Sequence, residues 1–426
     1  MTEFCSPPLN AYLFSIDIVS HVLPFRTNNY AVDELINWEN YKKDPVFNLT
    51  FPQAAMLIPQ DYEEMADAVT AGDKAKIAQT AHDIRLKLNP HPAGQMAHNV
   101  PYYKGEFIHG VQHKYRETVL FFPSQGQTCH AFCTYCFRWA QFIGDDSLKF
   151  ATQQSDLLAE YINSQPQVTD IIFTGGDPMI MRTKHIVNYV RSVLKVPHLR
   201  NIRIGTKALA YWPYRFLTDS DSDELIALFK EVADAGKHLT VMAHFTAPDE
   251  LKTQAVADAV HRLRDVGVEI RTQSPIMTNI NDDADAWAKM WREQVTMGMI
   301  PYYMFIARDT GAQHYFGIPV VKAAELFQKA YSQVSGLART VRGPSMSCDP
   351  GKVRINGIAT IKGEKVIVLE GLQGRNPDWI GRPFFAQYDE KAKWMTDLKP
   401  AFGEEKFFYQ DELDAMYAED LKLAGH

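Results

Sequence analysis

The stretch Val119-Leu120-Phe121-Phe122-Pro123-Ser124-Gln125-Gly126-Gln127-Thr128-Cys129-His130-Ala131-Phe132-Cys133-Thr134-Tyr135-Cys136 decides how this chain is read. A short apolar run of β type gives way to a polar loop, and the loop delivers three cysteines spaced C-x3-C-x2-C. Three thiolates on one compact loop can ligate three irons of a 4Fe-4S cluster and leave the fourth iron open. With a fourth cysteine such a cluster only moves electrons; an open iron can also bind a substrate-like ligand. The competing reading is zinc, with His130 as fourth ligand. Structural zinc usually draws on two ligand pairs apart in sequence, and a histidine adjacent to Cys129 strains the tetrahedron.

Outside this loop the chain has only Cys5 and Cys348, five cysteines in 426 residues. An odd, sparse set is not a secreted disulfide framework. With 46% hydrophobic and 22% charged residues the composition is that of a globular protein, not a disordered one. Lys+Arg is 44 against Asp+Glu 51, a net charge of −7 that gives no footprint for nucleic acid. Apolar runs such as Val366–Leu369 are too short to span a bilayer, and no Lys or Arg precedes Arg26 to form a secretory n-region. A cytoplasmic protein without membrane partners is expected.

The β run before the cysteines is the first of six: Val119–Phe122, Asp170–Thr174, Ile202–Thr206, Leu239–Phe245, Val268–Pro275 and Pro301–Ile306. Helical patterns follow them, among them Ser222–Ala235 stopped by Gly236, and one from Pro248 with Thr246 as cap and Gly267 as stop. Others start near Asp282 and Val320. Strands alternating with helices make an α/β fold with a parallel sheet, and six strands suit a partial (β/α)6 barrel; a doubly wound sheet is the alternative. Before it, residues 1–112 read as mainly helical, with Ala54–Gly72 and Asp73–Leu88 as helices and a break at Pro90, Pro92 and Gly94. The barrel takes 113–335. Residues 336–426 read as an extension holding a hairpin, Lys352–Ile361 with Lys365–Leu369 around Gly363, then loop and helix.

The cysteine motif, with Phe173-Thr174-Gly175-Gly176-Asp177-Pro178 after the next β run, resembles the radical S-adenosylmethionine (SAM) superfamily. The resemblance implies a 4Fe-4S cluster on Cys129, Cys133 and Cys136 whose open iron chelates SAM. It also implies SAM contacts at Tyr135, Gly175, Gly176 and Asp177, and along Arg203, Gly205 and Thr206 at the third strand end. His113-Lys114-Tyr115, Cys136-Phe137-Arg138, His244-Phe245, Gln273-Ser274, Ile280-Asn281-Asp282, His314 and Pro319-Val320 sharpen it to the lysine 2,3-aminomutase-like family, from about Asp44 to Leu369. Members use pyridoxal 5′-phosphate (PLP), held on a lysine until a substrate amine displaces it, to move an amino group from C2 to C3. Lys352 corresponds to that lysine, with Lys114, Tyr115, His244 and Gln273 as further cofactor contacts. Arg138 corresponds to the arginine that pairs with the substrate carboxylate.

Three departures stand out. Thr118 occupies the place of an arginine that holds the PLP phosphate, and Lys114 or Arg116 could supply that charge. Only Gly351 remains of a glycine run before the lysine. Arg308 or Ala307, and Ser345, fall where lysine-specific members carry two aspartates, so the substrate is expected to be an amino acid other than simple lysine. A PLP-free radical SAM enzyme on the same scaffold and a non-catalytic cluster-binding protein are the alternatives. A flavodoxin or ferredoxin reductant is implied, and a homo-oligomer is possible on the same resemblance.

Overall fold

The structure is a computed structural model that describes residues 7–89, 99–144 and 149–423. Cys5 and the break at Pro90, Pro92 and Gly94 lie outside them. Among the described residues no helix is long and apolar enough to cross a membrane.

All six expected strands form. After a small hairpin of β1 (Tyr102–Tyr103) and β2 (Glu106–Phe107) comes β3 (Val111–Tyr115), antiparallel to β4 (Thr118–Phe121). Parallel pairing then runs through β5 (Asp170–Phe173), β6 (Asn201–Thr206), β7 (His238–His244), β8 (Glu269–Ile276) and β9 (Ile300–Ile306). A further parallel strand, β10 (Arg342–Cys348), follows on β9. The antiparallel strands β11 (Gly351–Ile361), β12 (Glu364–Gly374) and β13 (Pro383–Gln387) continue the same sheet. Neighbours follow strict chain order from β3 to β13, so right-handed crossovers put the helices that connect the parallel strands on one side. A doubly wound sheet needs a reversal of that order. With β3 and β13 as unpaired edges, the sheet is an open barrel.

The boundary at 335/336 falls between the helix Val320–Ser332 and β10, and the sheet runs across it. Arg342-Gly343-Pro344-Ser345 is strand although it holds a glycine and a proline. A Cβ on Gly343 would stand 2.6 Å from the Met304 carbonyl oxygen, so only glycine lets this backbone lie against β9. The helix expected from Pro248 is a 3-10 turn, Pro248–Leu251, followed by a true helix at Gln254–Asp265 whose first turn is capped by Thr253. Thr246 cannot cap it, because its hydroxyl meets Lys207 and its amide is held by Glu250.

Strand burial runs opposite to a filled barrel. Ile171 and Phe173, Ile202 and Ile204, and Leu239 and Val241 face the helices and are buried with Leu158, Ile186, Val190 and Leu225. Each such side chain contributes roughly 1.5–3 kcal/mol. The alternate positions Asp170, Ile172, Arg203, Gly205, Arg271 and Gln273 face inward and keep partial exposure. The inward face therefore carries polar groups among apolar ones. Its C-terminal mouth is covered by the N-terminal helices: a second core joins Ile18, Leu49, Met65 and Ile84 to Trp139, Met277, Ala307 and Phe316.

Candidate active site

The cysteine loop follows β4 at the C-terminal end of the sheet, the end where β/α loops build sites. It is held from the N-terminal side by Phe132 N–H to the Arg26 carbonyl (2.8 Å) and Thr134 N–H to the Leu49 carbonyl (2.9 Å). Arg26 also donates to Thr128 Oγ1 (2.8 Å) and the Cys129 carbonyl (3.2 Å). Burial pushes all three thiols up, Cys136 to about 12; the charge of Cys133 adds to this at Cys129 and Cys136, and that of Cys136 at Cys129. Thiolates here need positive charge in contact, which iron supplies. Among the described residues no group of three or more His, Cys, Asp or Glu side chains is placed to hold a single metal ion. His130 instead stacks on Trp212 at 6.4 Å. Cys348 lies at the end of β10 with Lys114, Asp349 and Arg308 as its charged neighbours, apart from the trio.

Gly175 and Gly176 bring the turn after β5 onto this loop. A Cβ on Gly176 would lie 2.5 Å from the Thr128 carbonyl oxygen and 2.6 Å from its nitrogen. Asp177 then ties that turn to the end of β6, accepting from Met179 N–H (2.9 Å), Thr206 Oγ1 (2.6 Å) and Lys207 N–H (2.9 Å). Cys129, Gly175, Gly176, Asp177, Gly205 and Thr206 therefore share one corner. Arg203 does not join them: it reaches back to a two-point ion pair with Asp170 at the start of β5. Tyr135 places its hydroxyl 3.3 Å from Thr246 Oγ1. Gln273 Nε2 donates to His244 Nε2 (2.8 Å) across β7 and β8. Burial and Lys207 push His244 down to about 3, so it is neutral near pH 7.

Deeper in the barrel, the Lys352 amine lies 4.4 Å from the Tyr303 ring centroid, 5.8 Å from Phe305 and 5.9 Å from Tyr115. Burial, then Arg203, Arg342 and Lys114, push it down to about 7. Lys114 donates to the Cys348 carbonyl and is likewise held at about 7 by burial and by Arg375 and Arg308. Thr118 donates to Asp170 (3.2 Å), so a carboxylate stands beside the place of the missing arginine.

Arg138 is buried, its guanidinium carbon 4.2 Å over Phe122 and 5.3 Å from Phe137. Its Nη1 has no hydrogen-bond partner, and burial pushes the group down to about 9. Arg308 faces the same Phe137 ring at 4.6 Å. Ser345 is fully buried and spends its hydroxyl on the Met304 carbonyl (3.4 Å).

Some contributors are not legible in the sequence. Lys207, just past β6, is largely buried, donating to Glu250 Oε1 (2.7 Å) and Thr246 Oγ1 (3.1 Å) and lying 4.4 Å over the Tyr211 ring. Tyr211 Oη is in turn 3.9 Å from Cys133 Sγ. The four-residue spacing of Thr246 and Glu250 is the one local signal of this network.

No protein-family model matches the chain. A putative L-lysine 2,3-aminomutase of Aquifex aeolicus is 30% identical over 391 residues, 92% of each chain. The L-lysine 2,3-aminomutases of Fusobacterium nucleatum and Bacillus subtilis are both 25% identical, over 74% and 72% of this chain and 70% and 64% of theirs. Among solved structures, anSMEcpe with bound AdoMet and Cp18Cys peptide overlaps 70% of this chain and 79% of its own at 14% identity, with a TM-score of 0.40, too loose to carry an argument. Similarity to the Aquifex protein across nine-tenths of both chains, together with a three-cysteine loop at the mouth of an open parallel barrel, places this chain in the lysine 2,3-aminomutase-like family of radical SAM isomerases.

Proposed function

We propose that this chain is a 2,3-aminomutase of an α-amino acid, with the cluster on Cys129, Cys133 and Cys136, PLP on Lys352 and the substrate carboxylate on Arg138. The observation that carries the reading is the position of the Lys352 amine. It lies inside the barrel among three aromatic rings, and burial leaves it half neutral near pH 7. A neutral amine in an apolar surround is what a carbonyl cofactor requires.

The residues present suit both cofactors. Tyr303, Phe305 and Tyr115 offer faces to an aromatic ring, and Lys114, Arg203 and Arg342 are the cations whose charge reaches Lys352. The corner of Gly175, Asp177 and Thr206 next to Cys129 suits SAM. When bound, PLP supplies a π-bond through which nitrogen can migrate, and SAM supplies the radical that takes hydrogen from C3. The protein's part is to hold and orient. Arg138 aims an unsatisfied N–H at a carboxylate, while neutral His244 and Gln273 line the wall without competing for protons. Electrons enter from a flavodoxin or ferredoxin in this reading.

Borohydride reduction of the PLP-loaded chain, followed by peptide mass mapping, tests it. A pyridoxyl mark is expected on the Lys352 peptide and is lost in Lys352→Ala. SAM cleavage with no mark would favour the PLP-free reading, which the Thr118–Asp170 pair supports because a carboxylate stands beside the position where the resemblance expects an arginine.

A further inference from the structure

We infer that the substrate of this site is a dicarboxylic α-amino acid, whose side-chain carboxylate is received by Arg308 and Lys114 while Arg138 takes the α-carboxylate. The inference rests on the aminomutase reading and adds the substrate class.

Arg138 and Arg308 stand over the same ring, with guanidinium carbons 5.3 and 4.6 Å from the Phe137 centroid. One small molecule can therefore bridge them. Arg138 carries a buried N–H without a partner. Arg308 lies just past β9, buried, with Asp309 and Asp349 as the carboxylates whose charge reaches it. Lys114 is the next basic group, its amine anchored on the Cys348 carbonyl and within electrostatic reach of Arg308 and Arg375. Against these four basic groups the same neighbourhood holds Asp309 and Asp349, and Asp349 sits exposed on the turn between β10 and β11. An α-carboxylate offsets Arg138 and leaves the distal side positive. A second carboxylate is attracted there, and an ammonium meets like charge with little water to screen it.

The test uses the full chain, reconstituted anaerobically with iron, sulfide, SAM and PLP. L-glutamate, L-2-aminoadipate, L-norleucine and L-lysine are compared by chromatographic separation and mass spectrometry of the β-amino-acid product. Calorimetry of glutarate and of pentanoate binding to the same protein gives a readout that needs no turnover. One of the two acidic amino acids is expected to exceed norleucine and lysine by about 100-fold in kcat/KM. Glutarate is expected to bind and pentanoate not. Arg308→Glu should raise the KM for the acid at least about tenfold with iron content unchanged, and Arg308→Lys should keep the acidic preference. β-Lysine or β-norleucine as the main product would overturn the inference and leave the aminomutase reading standing. SAM cleavage with no β-amino acid from any of the four would overturn both.

Discussion

Arg138 is a buried guanidinium between two phenylalanine rings with one N–H left over. A charge-assisted hydrogen bond to a carboxylate is worth about 1.5–3 kcal/mol. Arg138→Ala is therefore expected to lower kcat/KM for the amino acid by roughly ten- to a hundred-fold. The loss should fall mainly on KM, with iron content intact. Lys352 makes a prediction in pH. Its amine is held down at about 7, so its reactivity toward PLP should rise with pH and reach half its plateau near pH 7, where an exposed lysine would still be protonated. The rate of PLP attachment, followed by absorbance, checks this. The same shift bears on stability. From pH 7 to about 10 the unfolded chain binds a proton at Lys352 that the folded one has lost, so this residue's contribution to stability rises with pH across that window. Arg203 separates two roles. Its ion pair with Asp170 is mostly buried, and Arg203→Ala would leave that carboxylate with the Thr118 hydroxyl but no paired cation, at a cost of about 3–5 kcal/mol. A lower Tm with SAM affinity unchanged is expected; a raised SAM Kd at unchanged Tm would return Arg203 to the SAM site.

Among the elements, the contact between the turn after β5 and the cysteine loop is the tightest joint of the site. Gly176→Ala drives a methyl into the Thr128 backbone, one residue from Cys129. Iron content per chain should fall by more than half, measured after anaerobic reconstitution. Gly336→Ala, whose added carbon meets nothing within 4 Å, should load fully. The parallel strands were legible because their apolar residues alternate and each is followed by a helical pattern. The capped helix ends were legible where a single residue type dictates the backbone, as at Gly236 with φ of +70°. β10 and β13 were not, since Gly343, Pro344 and Pro383 carry turn or breaker signals and only the neighbouring strand overrides them. The same limit hid Lys207 and Glu250. Whether a lysine at a strand end is solvated or buried on a glutamate depends on what the next two crossovers bring, and no local pattern records that. The cysteines were legible because their chemistry is written in consecutive residues. Arg203 sits at the expected strand end, but its direction is set by Asp170 one strand away.

At the scale of the whole molecule, an open barrel is closed at its mouth by the N-terminal helices. That closure is one core, with Trp139 from the segment after the cysteines packed with Ile18, Leu49, Met65 and Phe316. Phe316→Ala should cost about 3–5 kcal/mol, lowering Tm, and should reduce iron loading with it because Phe316 also meets Tyr135, ring to ring at 6.3 Å. A lowered Tm with full iron content would separate the lid from the cluster site. The central claim is that cysteine loop, Lys352 and Arg138 serve one reaction, an amino shift between adjacent carbons. Anaerobic incubation of the reconstituted chain with SAM, a reductant, PLP and a panel of α-amino acids, followed by mass spectrometry, measures it directly. The account predicts a β-amino acid formed with 5′-deoxyadenosine and absent in Lys352→Ala. Production of 5′-deoxyadenosine with no β-amino acid from any member of the panel, or a β-amino acid still formed by Lys352→Ala, would contradict it.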